Sequence, residues 1–243
     1  MVSATRTVDP LLPSETGFHG GLAYTLWLPA PPQPPARAGI AVVHGAGSCK
    51  ESHHDFARAA VALGLAVICF DQRGHGQTGG RLGGDAVQDV VSVADRLREA
   101  LGDPEAPVAL RGSSMGGYLA ILAAEPAGAE AVVAICPASA DGLTRGLLAG
   151  EFDFAADSDA VAAFLSAHDL TATVRSLGVP LLLMHAEGDE RVPVEHSREL
   201  AAELQHPRSR LIAVPGGHHR SIQHDEELQA VSLRFVRRAV GLA

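Results

Sequence analysis

Aromatic residues are scarce in this 243-residue chain: seven Phe, two Tyr and one Trp, or 4 %. Cysteine is scarcer still, at three residues, Cys49, Cys69 and Cys136. An odd, sparse set is no disulfide framework. Cys69 and Cys136 each lie in an apolar run, where a free thiol behaves as a small inert hydrophobe. Lysine occurs once, as Lys50, and the other bases are arginine. Bases number 19 against 28 acids, a net charge of −9. A nucleic-acid-binding surface needs a basic excess, so that class is excluded. Apolar runs are short and broken by Gly, Pro or charge, so no membrane-spanning helix is expected. Residues Met1 to Arg6 carry no apolar signal-peptide core, and a cytoplasmic location is the expectation. Zinc-ligand spacings are missing too: there is no His-Glu-x-x-His and no paired Cys. The pairs Gly79-Gly80 and Gly83-Gly84 lack the Lys-Ser/Thr of a phosphate loop. No metal and no cofactor are therefore expected.

What is present is a hydrophobic fraction of 47 %, enough for a substantial core. Residues 22–28 alternate as a strand, and the five prolines of 29–35 end it. Short continuous apolar runs follow at 39–44, 65–70, 107–111, 131–136, 179–185 and 209–214. Such runs suit strands buried on both faces, as in parallel sheets. Helical spacing appears between them at 53–63, 85–100, 115–124, about 194–204 and 222–238. Strands alternating with helices imply an α/β fold, a mostly parallel sheet with helices on both faces. Nothing in the chain marks a linker, so residues 1–243 read as one domain. Residues 138–178 break the rhythm where a strand should come, and carry Phe152, Phe154 and Phe164.

In such sheets function gathers at the carboxyl ends of the strands. The run at 107–111 leads into Gly112-Ser113-Ser114-Met115-Gly116 and then a helix. A nucleophilic serine on a strained strand-to-helix turn needs glycine two residues to either side, so that the backbones can pass. The helix N-terminus would favour an oxyanion beside it. The run at 179–185 is followed by Glu187, Asp189 and Glu190, and that at 209–214 by His218 and His219. Serine, then acid, then histidine is the chain order this turn requires. Asp189 is the preferred acid, with Glu187 and Glu190 as alternatives. His219 is the preferred base, with His218 as the alternative. A second oxyanion donor would come from His44-Gly45-Ala46-Gly47, with Ala46 preferred to Gly47, to join the N–H of Met115.

Taken together, these motifs and Asp71-Gln72-Arg73-Gly74-His75-Gly76 make the chain resemble the serine hydrolases of the α/β-hydrolase superfamily. The resemblance spans about residues 20–240. It implies an eight-stranded, mostly parallel sheet whose antiparallel first strand would be 22–28. It implies a small cap at about 138–178, inserted after the sixth strand. It implies a structural part for Asp71 and Arg73, and it favours the histidine that follows Pro-Gly-x-x, which is His219. Two residues depart from common family patterns: Ala186 replaces the second glycine of the acid turn, and Ser113 stands where many lipases have His.

The expected function is cleavage of a carboxylic ester through an acyl-enzyme. Ser114, His219 and Asp189 would form the triad, and Ala46 and Met115 the oxyanion hole. Thioester or amide cleavage on the same triad, or a non-catalytic binding protein on the same fold, are the rival expectations. The partner would be a small acyl substrate. The low aromatic count points to short or medium acyl groups. Nothing in the sequence bears on oligomeric state.

Overall fold

The computed structural model describes residues 11–242. The reading of the leader at residues 1–6 therefore falls outside the described residues. A single eight-stranded sheet runs through the molecule in the order β1-β2-β4-β3-β5-β6-β7-β8. The strands are β1 Glu15–His19, β2 Leu22–Trp27, β3 Gly39–Val43, β4 Ala66–Phe70, β5 Val108–Ser113, β6 Ala131–Ile135, β7 Leu181–Ala186 and β8 Arg210–Val214. From β4 to β8 every neighbouring pair is parallel, and β2 runs antiparallel to both β1 and β4.

The antiparallel strand is thus the second, not the first. Residues 22–27 are preceded by β1, which the composition of Glu15–His19 hides. That strand is an edge, with Phe18 two-thirds exposed, so it carries no buried apolar run. The local signal for it is the pair Gly20-Gly21. Both have positive φ, +57° and +83°, as a tight two-residue hairpin requires.

Alternation along the central strands sends side chains to two faces. Ala41, Val43, Ile68 and Leu110 meet α2 (Ala86–Leu101) and α3 (Met115–Ala123) on one side. Ile40, Val42, Val67 and Ala109 meet α1 (His54–Ala62) and, near the C-terminus, α9 (Glu226–Ala239) on the other. Each fully buried Val, Leu or Phe contributes about 1.5–3 kcal/mol, so both layers rest mainly on aliphatic side chains, with Phe70 and Tyr118 added in one and Trp27 and Phe56 in the other. Between β6 and β7 run α4 (Ala140–Leu148), α5 (Ser158–Ala167) and α6 (Leu170–Ser176). Asp157 and Asp169 cap the last two through their side chains. After β7, α7 spans Val194–Ala202. The closing helix expected at 222–238 is two helices, α8 (Ser221–His224) and α9. Asp225 takes an extended conformation between them, and its carboxylate accepts from Leu228 N–H. An N-cap residue inside an apolar periodicity is what ended the first helix early.

Candidate active site

Ser114 sits between β5 and α3 with φ 54° and ψ −122°, a region that costs an ordinary residue of order 1–3 kcal/mol. The surrounding backbone holds it there. Its N–H donates to Ile135 O at 2.9 Å, and its carbonyl accepts from Gly117, Tyr118 and Ala138. The two elbow glycines have a steric cause. A Cβ on Gly112 would fall 2.0 Å from Gly116 O, and one on Gly116 would fall 2.1 Å from Val43 O. Strand, helix and the end of β3 pass at distances no side chain fits. Met115 opens α3, so its N–H has no helical carbonyl to bond.

The acid and base candidates come apart cleanly. Asp189 Oδ2 accepts from His219 Nδ1 at 2.7 Å. Its Oδ1 accepts from the backbone N–H of Arg191 and Val192 at 2.8 and 2.9 Å. Glu187 instead pairs with Arg198 at 2.7 Å on the surface. Glu190 receives backbone N–H groups, that of His219 at 3.1 Å among them, and no histidine ring. His218 engages Ser221 and Arg220 through local turn bonds. Burial alone would raise the Asp189 pKa. Hydrogen bonds from His185, His219, Val192 and Arg191 outweigh it and hold the carboxyl well below the usual range. With Nδ1 donating to Asp189, the neutral His219 ring keeps Nε2 as its acceptor.

Two residues beneath Asp189 had no such part in the sequence reading. His185 is fully buried, with Nδ1 on Ser197 Oγ at 2.6 Å and Nε2 on Val192 O at 2.9 Å. Its Nε2 also lies 3.4 Å from Asp189 Oδ2. Position at a strand end, four residues before the acid, is the only hint the chain offers. Cys136 has φ 42° and places its ligand atom, with those of Asp189 and His219, within a 4.8 Å cluster. A metal there would need a thiolate, but burial pushes the Cys136 thiol pKa up. It would also have to displace the Asp189–His219 bond, so the set suits a hydrogen-bonded Asp–His pair better than an ion.

The loop after β3 is equally tied. His44 is buried, with Nδ1 on Gly45 O at 2.8 Å and Nε2 accepting from Gln72 N–H at 3.0 Å. A Cβ on Gly45 would lie 3.2 Å from that of Ser114, so this loop packs directly on the elbow. Gly47 N–H donates to His75 Nε2 at 3.1 Å. Asp71 is bound to Lys50 N–H and Nζ, both at 2.7 Å, and Arg73 grips Asp89 through two bonds of 2.8 Å. The sole lysine is thus buried under the loop. Burial pushes the His44 pKa from 6.5 down to about 4. Between those values the unfolded chain binds a proton that the folded chain refuses. This stabilisation is complete above about pH 6.5 and is lost as pH falls towards 4, about 3 kcal/mol for His44. Urea unfolding at pH 7 and pH 4.5 should show that loss, and equal stability at the two values would contradict it.

Ser114 and His219 line one open cleft of about 1150 Å³, together with Gly45, Ala46, Leu143 and Phe152. Leu143 and Phe152 also border a separate apolar void of only about 20 Å³ beside Met115, Tyr118 and Phe164. That is room for about one water.

Several solved structures with this architecture are named as esterases or lipases. Est1E from Butyrivibrio proteoclasticus, with ferulic acid bound, superposes at TM-score 0.72 and 19 % identity, covering 94 % of this chain and 99 % of that one. A soluble variant of monoglyceride lipase from Saccharomyces cerevisiae gives 0.72 at 14 % identity, with 98 % of both chains covered. The chain has the α/β-hydrolase fold, and the family model and named relatives support a serine hydrolase of that superfamily. Within that superfamily the family model described as serine aminopeptidase, S33, matches residues 34–151. Among curated relatives, the monoacylglycerol lipase of Mycolicibacterium smegmatis is 24 % identical over 93 % of this hydrolase and 95 % of its own length. No helix among the described residues is long and apolar enough to cross a membrane.

Proposed function

We propose that this hydrolase cleaves small carboxylic esters, with Ser114 as nucleophile, His219 as general base and Asp189 as the acid that orients it. The observation that carries the reading is the 2.7 Å bond from His219 Nδ1 to Asp189 in the cleft that the strained Ser114 lines. His219 Nε2 would take the Ser114 proton as Oγ attacks the acyl carbon. The N–H groups of Ala46 and Met115 would hold the oxyanion. Gly47 is the poorer donor because its N–H is already bonded to His75. Collapse would expel the alcohol, protonated by His219, and leave an acyl-enzyme. Water deprotonated by His219 would then release the acid. Helices α4–α6 would form the cap over this chemistry.

Two findings support an ester: the relatives named monoacylglycerol lipase and the solved neighbours named esterase. The aminopeptidase description of the family model makes an amide the second substrate to try. The test combines a fluorophosphonate probe, mapped by mass spectrometry, with p-nitrophenyl esters of rising length, a monoacylglycerol, an acyl thioester and an amino-acid amide. Labelling at Ser114 and highest kcat/KM on a short ester are expected. Folded protein that takes no label, or faster turnover of the amide, would refute the reading.

A further inference from the structure

The ring of His75 touches both the cap segment and the oxyanion loop. It lies in the loop between β4 and α2 and is 4 % exposed. Its Nε2 accepts from Gly47 N–H at 3.1 Å, and its Nδ1 faces Arg73 O at the same distance. A single neutral tautomer, protonated on Nδ1, satisfies both bonds. Burial lowers the His75 pKa and favours that neutral form. One ring face stacks on Phe154, with centroids 4.0 Å apart and planes at 27°. Phe154 in turn stacks on Phe152, at 5.2 Å, and Phe152 lines the cleft. The ring of His44, where the oxyanion loop begins, meets His75 edge-on at 4.9 Å.

The stack is not a loose surface contact. Backbone bonds hold the cap segment against the loop that carries His75: Ala155 N–H to Gly74 O at 3.2 Å, Leu82 N–H to Ala155 O at 2.9 Å and Asp157 N–H to Leu82 O at 2.8 Å. A Cβ on Gly74 would lie 2.0 Å from Ala155 O, so glycine is what lets the two segments meet. The position of Phe154 is thereby set, and with it the plane of His75 and the direction of its acceptor.

We propose that His75 is a positioning residue which holds the Gly47 peptide through its Nε2 acceptor, so that the Ala46 N–H is presented to the oxyanion, and which is itself held by the Phe154 stack. This rests on the reading of Ser114 and Ala46 given above. Displacing one oxyanion donor costs on the order of 10²-fold to 10³-fold in kcat when the donor is removed outright, and a donor merely misdirected should cost less. His75→Phe keeps the ring and the stack but removes the acceptor. It should lower kcat on a short ester on the order of 10-fold to 100-fold while KM stays within about threefold. His75→Gln restores an acceptor without the ring and should recover most of the loss. Phe154→Leu keeps the acceptor and loosens the stack, and should lower kcat several-fold with KM little changed. Wild-type kcat in folded His75→Phe, or a loss confined to KM, overturns the proposal. Should His75→Phe fail to fold, the decision falls to the other two variants. Wild-type kcat in Phe154→Leu, or a His75→Gln variant as slow as Ser114→Ala, would overturn it too. A wild-type protein that hydrolyses no ester and takes no fluorophosphonate would instead refute the underlying reading of Ser114, a result distinct from any His75 effect.

Discussion

Replacing Ser114 with alanine is expected to lower kcat for ester hydrolysis on the order of 10⁴-fold or more. Every covalent step in the proposed route passes through Oγ, and no other hydroxyl stands on the elbow with the same strain. The remaining rate over water would come from the oxyanion donors and binding alone. The variant should fold as well as the parent. Alanine keeps the Cβ, so the cost of φ 54° is unchanged, and stability should move by no more than about 0.5 kcal/mol. Near-wild-type turnover by purified Ser114→Ala, measured with p-nitrophenyl acetate, would remove Ser114 from the chemistry.

His219→Ala should cost a similar factor, on the order of 10⁴-fold, whereas His218→Ala should cost no more than roughly twofold to threefold. The two histidines are adjacent in the chain but differ in what holds them. Asp189 accepts the Nδ1 proton of His219 and thereby fixes the ring's tautomer and direction. Among the described residues, His218 bonds within its own turn, to Ser221 and Arg220. The pair of variants is more informative than either alone, since an unfolding effect of the shared turn would lower both. Equal losses in the two folded variants would contradict the assignment of the base to His219, as would a larger loss for His218→Ala.

The elbow that carries the proposed nucleophile was legible because its motif is a local steric demand. Gly112 and Gly116 are required by contacts of about 2 Å within a few residues of Ser114 and with the neighbouring β3, and a demand of that kind leaves a spacing in the chain. The parallel strands were legible for a similar reason, since burial on both faces demands continuous apolar runs. Strand β1 was not, because an edge strand with exposed Phe18 is under no such demand, and only Gly20-Gly21 marks it. The break at Asp225 was hidden because the apolar period continues across it while the backbone does not.

By itself, then, the sequence determined the α/β order of elements, the elbow at Ser114, and a serine, acid, histidine succession along the chain. The sequence preferred Asp189 and His219 without excluding their neighbours; tertiary structure set His219, and not His218, against Asp189, committed the Gly47 N–H to His75, and brought His185 and Cys136 beneath Asp189. The reason is geometric. His219 meets Asp189 across 30 residues of chain, and Gly47 meets His75 across 28. Those meetings depend on how turns at the ends of neighbouring strands converge, and a convergence of separate loops leaves no spacing in either one to be read.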